Sequence, residues 1–123
     1  MSAPTETTDI ALEPARVAEW LAEGEGEGGG RVQVIDVREQ YERDAGYIAD
    51  TRHVEFAALT DAAASIEREL PVVFYCRVGS RSDVAAQAFR GAGFRAYSMS
   101  GGLVRWVAEG RPLSPADGHV ANH

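Results

Sequence analysis

The sequence predicts an α/β domain whose central sheet is mainly parallel and is covered by helices on both faces. Short apolar runs at residues 32–37, Val72–Tyr75 and Ala96–Met99 alternate with segments of helical periodicity. The run at residues 32–37 is continuous and rich in β-branched residues, which is typical of a strand buried on both faces of a parallel sheet. These observations together predict one sheet between two layers of helix.

Length and composition fit a single domain. The 123 residues are enough for one ordinary core and too few for two, and 45% hydrophobic with 25% charged residues is ordinary globular composition. We expect the domain at residues 10–112, between a flexible N-terminal segment at residues 1–9 and a flexible C-terminal tail at residues 113–123.

Charge and cysteine content exclude several classes of function. A formal net charge of −7 opposes binding to nucleic acid and to anionic membranes, because both need a basic surface. The first residues lack the features of a secretory signal, and no apolar run approaches membrane-spanning length. The single cysteine cannot form a disulfide within the chain, and no Cys/His cluster has metal-ligand spacing. We therefore expect a cytoplasmic protein with no metal, no cofactor, no nucleic-acid partner and no membrane partner.

The N-terminal half predicts two helices and two strands. Apolar residues recur at helical spacing over residues 13–23. Residues 24–30 form an acidic, glycine-rich connector, since they lack the lysine and the preceding strand of a phosphate-binding loop. After the strand at residues 32–37, we expect a short helix at residues 40–44 and a strand at residues 53–56.

The C-terminal half predicts three helices, at residues 60–70, 82–92 and 103–109, around the two remaining strands. The first of these helices begins at a Thr-Asp cap and stops before a proline. The second stops at a Gly-Ala-Gly segment, which is a common helix end. In the third helix, Trp106 and Val107 are expected to face the core.

The chain's single cysteine follows the strand Val72–Tyr75, and a loop with anion-binding character follows the cysteine. After Cys76 come Arg77, Val78, Gly79, Ser80, Arg81 and Ser82. Neighbouring cations, converging backbone N–H groups and the positive end of a helix favour a thiolate over a thiol. Because the thiolate is the nucleophile, Cys76 is a candidate for covalent catalysis on an anionic substrate, which the loop residues would bind. The alternatives are a buried structural cysteine and solvated surface arginines.

A second polar group, Asp36, also lies at a strand end. Ligands of parallel sheets bind beyond the carboxyl ends of the strands, so we expect Asp36 and Cys76 to face one site. We expect Asp36 and Arg38 to support the active loop rather than to take part in the chemistry. The alternative is that both simply pair with neighbouring charges.

Four motifs occur in order along the chain. They are Asp36-Val37-Arg38-Glu39 with Tyr41-Glu42, Gly46-Tyr47-Ile48 with His53-Val54, Cys76 to Ser82, and Gly101-Gly102-Leu103 with Trp106 and Gly110-Arg111-Pro112. Over about residues 12–112 these motifs resemble the rhodanese-like family of single-domain sulfurtransferases. Two positions depart from the family pattern, since Tyr47 stands where the usual histidine does and the usual Pro-Gly is absent around Asp50-Thr51.

The resemblance implies a sulfurtransferase that works through a persulfide on Cys76. The stretch from Cys76 to Arg81 matches the six-residue loop of the sulfurtransferase branch, whereas related phosphatases have one residue more. The implied donor is a small sulfur anion, and the basic Arg77 favours thiosulfate over mercaptopyruvate. Because the chain has no second cysteine, the implied acceptor is external, namely cyanide or a thiol such as glutathione or a thioredoxin-like protein.

Two other functions stay open beside the enzyme. One is a sulfur-carrier or regulatory module that docks with a dedicated protein partner. The other is a small phosphatase, which the loop length disfavours.

Overall fold

The structure, a computed structural model, describes residues 9–23 and 32–123. Residues 1–8 and the connector predicted at residues 24–30 lie outside the described residues. The described elements are, in chain order, β1 (Ala11–Leu12), α1 (Pro14–Glu23), β2 (Gln33–Asp36), α2 (Gln40–Ala45), β3 (Arg52–His53), α3 (Leu59–Ala62), β4 (Val72–Tyr75), α4 (Ser80–Gly91), β5 (Ala96–Met99) and α5 (Gly102–Ala108). Short 3₁₀ turns, Phe56–Ala58 and Ala63–Ser65, flank α3. Of the helices in this part of the chain, none is long and apolar enough to cross a membrane.

The five strands form one parallel sheet in the order β1-β5-β4-β2-β3. The central strand β4 pairs with β2 and β5, and all of its residues are buried. The register places Asp36 beside Tyr75, so the carboxyl ends of β2 and β4 meet at one edge of the sheet. The predicted α/β architecture with a parallel sheet is confirmed.

The core has one layer on each side of the sheet, because successive side chains of a strand point to opposite faces. On one face, Phe74 of β4 packs with Phe89 of α4 at a ring-centroid distance of 4.9 Å. On the other face, Val73 and Tyr75 belong to a cluster with side chains of α1, β5 and α5. Helices therefore cover both faces, as the sequence predicts.

Most of the predicted elements are confirmed within a residue or two at each end. The strand β1 was not predicted, since two residues carry too little pattern to be recognised. It is formed by pairing with β5, where the Ser98 N–H donates to the Ile10 carbonyl at 2.8 Å and the Ser100 N–H donates to the Leu12 carbonyl at 2.7 Å. Its formation depends on tertiary pairing rather than on local sequence.

The helix predicted at residues 60–70 is confirmed only over its first half, because the helical turns end at Ser65. Ile66 takes an extended conformation, with φ −99° and ψ 126°, and is buried in the core. The Ser65 hydroxyl donates to the Ala62 carbonyl at 2.6 Å, and the Glu67 N–H donates to Gln33 Oε1 at 2.8 Å. Burial of the isoleucine and bonds to β2 outweigh the helix propensity of the alanines and glutamates.

Two smaller predictions are also confirmed only in part. The strand expected at residues 53–56 is limited to Arg52–His53, because its partner β2 ends at Asp36 and Phe56 begins a 3₁₀ turn. In α5, Trp106 is buried as predicted, but Val107 is 41% exposed.

The C-terminal segment lies against the end of α2. Tyr47 and Ser114 exchange backbone hydrogen bonds of 3.0 and 2.7 Å, and the His119 N–H donates to the Ala45 carbonyl at 2.9 Å. These bonds place part of residues 113–123 beside the domain, while the flexibility of that segment stays a prediction.

Candidate active site

Cys76 is fully buried directly after β4 ends, and the loop that follows it contacts its sulfur. The Gly79 N–H donates to Cys76 Sγ at 3.0 Å. Gly79 has a left-handed backbone, with φ 114°, and it caps α4, which begins at Ser80. A backbone N–H aimed at the sulfur and the positive end of α4 both stabilise negative charge on the sulfur.

The start of α5 supports the same loop from the other side. The Leu103 N–H donates to the Cys76 carbonyl at 2.9 Å, and the Val104 N–H donates to the Arg77 carbonyl at 3.0 Å. Gly102 has φ 61°, and a Cβ at this position would lie 2.5 Å from the Arg77 carbonyl oxygen. The second glycine of the Gly-Gly motif is therefore required both by its backbone and by its closeness to the loop.

Replacing Gly102 with alanine is expected to lower the free energy of unfolding by about 3 kcal/mol, because it combines a strained φ with a clash against backbone that cannot move aside. Urea unfolding measures the change. Gly91→Ala is the matched control, since a Cβ there meets nothing within 4 Å. A loss below about 1 kcal/mol for Gly102→Ala would contradict the close approach, because that is within the range of an ordinary substitution.

Arg81 is paired with a buried carboxylate rather than directed freely at the loop. Its Nη1 donates to Glu42 Oε1 at 2.8 Å and its Nη2 donates to Glu42 Oε2 at 3.1 Å. Glu42 lies on α2 with a fully buried side chain, and it also accepts the Glu39 N–H at 3.0 Å. Burial acts to raise the pKa of Glu42, but the hydrogen bond from Arg81 and that of the Glu39 backbone outweigh it, so this pKa is lowered.

Arg77 differs from Arg81 in its hydrogen bonds. Its Nε is buried and has no hydrogen-bond partner among the described residues. The other loop residues differ in exposure: Val78 and Ser80 lie at the surface, with Val78 50% exposed, whereas Gly79 and Ser82 are buried. The loop therefore has one arginine with an unused donor and one whose charge is already neutralised.

Asp36 and Arg38 form a buried ion pair behind α2. Asp36 Oδ1 accepts from Arg38 Nε at 2.8 Å, and Oδ2 accepts from Arg38 Nη2 at 2.7 Å. Arg38 Nη2 also donates to the Gly46 carbonyl at 2.8 Å. The pair thus joins the residues before and after α2, the helix that carries Glu42. The pair connects to the loop through α2 and Arg81, and the supporting role of Asp36 and Arg38 stays a prediction.

The structure brings three further residues to the site that no sequence pattern singled out as site residues. Glu42 is one of them, and its signal was a Glu-x-x-Glu spacing typical of a helix start. The others are Asp83 and Ser98, which continue a line of hydrogen bonds from Cys76 through Ser82. Ser98 is supplied by β5, and no local pattern in the sequence links it to the loop.

A cavity of about 270 Å³ lies beside Arg81. It is lined by Val37, Glu39, Glu55, Phe56, Ala57 and Arg81. A larger one, about 420 Å³, is lined by residues 63–69 and Phe94 and includes no residue of the loop. Of these two cavities, the smaller one adjoins the candidate site.

One group of possible metal ligands occurs among residues 9–23 and 32–123. The ligand atoms of Glu39, Glu42 and His123 lie within 4.8 Å of one another. Both carboxylate oxygens of Glu42 already accept hydrogen bonds from Arg81. The group therefore lacks a free central ligand and does not fit a resident metal ion.

The parallel sheet and the loop between β4 and α4 define a small α/β protein with a buried cysteine at the end of its central strand. Residues 17–109 match the Rhodanese-like domain, and the chain belongs to that family of sulfurtransferases and related proteins.

Relatives and solved structures agree with this assignment. The chain is 34% identical over 86 residues to the thiosulfate sulfurtransferase GlpE of Pseudomonas aeruginosa, covering 69% of this chain and 74% of that protein. It is 32% identical over 113 residues to the tRNA uridine(34) hydroxylase of Delftia acidovorans, covering 86% of this chain but only 43% of that protein. A rhodanese-related protein from Thermoplasma volcanium superposes with a TM-score of 0.74 at 25% identity, covering 85% of this chain and 97% of the other.

Proposed function

We propose that the protein is a sulfurtransferase that moves sulfane sulfur from thiosulfate, or a similar small anion, to a thiophilic acceptor through a persulfide on Cys76. The observation that carries the proposal is the Gly79 N–H held 3.0 Å from Cys76 Sγ at the start of α4. This donor stabilises the thiolate before attack and the sulfur that leaves in the second step. The relative named thiosulfate sulfurtransferase supports the choice of donor.

In the first step the Cys76 thiolate attacks the outer sulfur of thiosulfate. A bond forms between Sγ and that sulfur, the S–S bond of the donor breaks, and sulfite leaves with the electron pair. Arg77 is assigned to bind the sulfonate oxygens, because its Nε has no other partner in the described chain. Cys76 returns to a thiolate only when the extra sulfur is removed.

In the second step an external nucleophile attacks the outer sulfur of the persulfide. A bond forms between the acceptor and that sulfur, the Cys76 S–S bond breaks, and the cysteine leaves as a thiolate. The 123 residues contain no second thiol, so the acceptor is cyanide in an assay, or a small thiol or thioredoxin-like protein.

The intact mass of the reduced protein after incubation with thiosulfate tests the proposal, with Cys76→Ser as the blank. The expected result is a gain of one sulfur atom by the wild type alone, which cyanide reverses with release of thiocyanate. If neither thiosulfate nor mercaptopyruvate adds sulfur to the wild type, the proposed function is wrong.

A sulfur-carrier module is the second candidate function, and the burial of Cys76 favours it. The thiol is 0% exposed, which limits access for a free donor, whereas the exposed Val78 at the loop offers a contact for a protein partner. The same assay separates the two candidates. An enzyme releases many equivalents of thiocyanate from thiosulfate and cyanide, and a carrier loads once and stops.

Arg77→Gln is expected to raise the KM for thiosulfate by about tenfold with little change in kcat, since a lost charge-assisted hydrogen bond costs about 1.5 kcal/mol or more. The comparison is Arg81→Met in a Glu42→Gln background, which removes the other arginine without leaving a buried carboxylate unpaired. Relative to the wild type, we expect a smaller rise in KM for this double variant, because in the wild type Glu42 already neutralises the charge of Arg81. Steady-state thiocyanate formation gives both values, and the opposite order would contradict the assignment of Arg77.

A further inference from the structure

A line of hydrogen-bonding side chains leads from the buried sulfur to the surface. Cys76 Sγ lies 3.6 Å from Ser82 Oγ, and Ser82 Oγ lies 2.8 Å from Ser98 Oγ. Ser98 Oγ donates to Asp83 Oδ1 at 2.6 Å. Cys76, Ser82 and Ser98 are all 0% exposed, whereas Asp83 is exposed on the first turn of α4. Asp83 is thus the point at which the line reaches solvent.

Asp83 fixes the direction of the Ser98 bond and thereby limits what Ser98 can offer to Ser82. An ionised carboxylate only accepts, so Ser98 must donate its one proton to Asp83. Ser98 then presents only lone pairs to Ser82, and the Ser82 proton is taken up by Ser98 or by the Gly79 carbonyl at 3.2 Å. In this arrangement Ser82 presents a lone pair to Cys76. It accepts from a thiol, while its own proton is engaged by Ser98 or by the Gly79 carbonyl rather than by a thiolate.

We propose that Asp83 and Ser98 are positioning residues that set, through Ser82, the balance between thiol and thiolate at Cys76. When the thiol loses its proton, each hydrogen bond in this line exchanges its donor and acceptor. The S–H bond breaks with its electron pair left on sulfur, Ser82 takes that proton and passes its own to Ser98, and Ser98 passes its proton to Asp83. Three bonds to hydrogen break and three form, nothing is oxidised or reduced, and Ser82 then donates to the thiolate.

The thiolate and the neutral form of Asp83 therefore stabilise each other. This coupling is reciprocal, as any linkage between two sites must be. Its relevance to sulfur transfer rests on the proposed function, but the balance between thiol and thiolate exists without any sulfur donor. The line also gives the buried thiol a route by which its proton reaches solvent.

The remaining charged groups near the sulfur lie outside this line. They are Arg77 in the loop, Arg81 paired with Glu42 of α2, and Asp36 paired with Arg38 at the end of β2. β5 contributes Ser98 and has no charged residue of its own. Because these groups are the same in every variant below, their effect cancels when the variants are compared.

Titration of the thiolate by its ultraviolet absorbance tests the proposal, with Cys76→Ser subtracted at each pH. The chain has one cysteine, so the difference reports on Cys76 alone. Asp83→Asn can donate to Ser98 and reverse the line, so we expect the thiolate midpoint to fall by about one pH unit, a tenfold rise in the ratio of thiolate to thiol. In Ser98→Ala, which cuts the line, the same Asp83→Asn change is expected to shift the midpoint by less than about 0.3 unit.

Two controls separate an effect transmitted by the hydrogen bonds from the effect of losing one negative charge. Asp61→Asn removes an exposed carboxylate of α3 and is expected to leave the thiolate midpoint unchanged. An equal shift for Asp83→Asn with and without Ser98 would mean that charge alone acts, and would overturn the proposal, as would no shift at all. If Ser98→Ala does not fold, Asp83→Ala replaces it, because alanine removes the charge without offering a donor. Equal shifts for Asp83→Asn and Asp83→Ala would then overturn the proposal. Since no sulfur donor is present, failure of the mass assay and failure of this titration are distinguishable.

Discussion

Cys76→Ser is expected to reduce thiocyanate formation from thiosulfate and cyanide by on the order of 10⁴-fold or more, because the hydroxyl cannot carry the sulfur between the two steps. The other parts of the site remain, so binding of the donor alone gives no turnover. Steady-state assays of the purified proteins measure the ratio. Residual turnover above about 1% of the wild type would show that Cys76 is not the nucleophile, since loss of a covalent nucleophile is not compensated by its neighbours.

The same substitution is expected to keep the fold. Serine fits the space of cysteine and its oxygen accepts the Gly79 N–H in place of the sulfur. We therefore expect the free energy of unfolding to change by less than about 1.5 kcal/mol, which urea unfolding checks beside the activity assay. A larger loss would mean that a fall in activity reports on folding rather than on chemistry.

Glu42→Gln is expected to lower the free energy of unfolding by about 3 kcal/mol, because it leaves the guanidinium of Arg81 without its counterion. The Glu42 side chain is 0% exposed and that of Arg81 is 16% exposed, so water replaces little of the lost interaction. Urea unfolding near neutral pH measures the loss. Removing both partners, in Glu42→Gln with Arg81→Met, is expected to recover part of it, since neither charge is then left alone.

A surface ion pair supplies the control for this prediction. Arg16 and Glu19 lie 3.3 Å apart with side chains 39% and 65% exposed, and Glu19→Gln is expected to cost less than about 1 kcal/mol. Similar losses for Glu19→Gln and Glu42→Gln would contradict the buried role of the inner pair.

The contribution of Glu42 also has a defined pH dependence. Its pKa in the folded protein is lowered from the ordinary value of 4.5. The stabilisation is therefore fully present above that value and is lost as the pH falls through the lower folded pKa. The difference in stability between the wild type and Glu42→Gln should shrink in acid and stay constant from mildly acidic to neutral pH.

The sequence predicts well those parts of the fold whose signals are local. The buried strands at Val72–Tyr75 and Ala96–Met99 and the glycine-marked end of α4 are examples. Prediction from the sequence fails where a tertiary contact determines whether a helix or strand forms or where it ends. The helix expected at residues 60–70 stops because Ile66 turns into the core, and β1 exists because β5 pairs with it.

The candidate site shows the same division. Cys76 and its loop are contiguous, so their arrangement follows from a strand, a glycine and a helix start. The state of Arg81 could not be predicted, because its partner Glu42 lies 39 residues away on another helix. Ser98 is 16 residues from Ser82 and meets it only because β5 lies beside β4.

Both outer strands of the sheet, β1 and β3, are only two residues long. An outer strand with a long row of unpaired backbone groups is a template for pairing with another molecule, and very short outer strands remove that template. Close approach of a second protein to this sheet is therefore disfavoured along its sides and remains open at the end where the strands deliver the loop. The two short outer strands thus disfavour self-association by strand pairing, and the end of the sheet at the loop after Cys76 stays open to a partner.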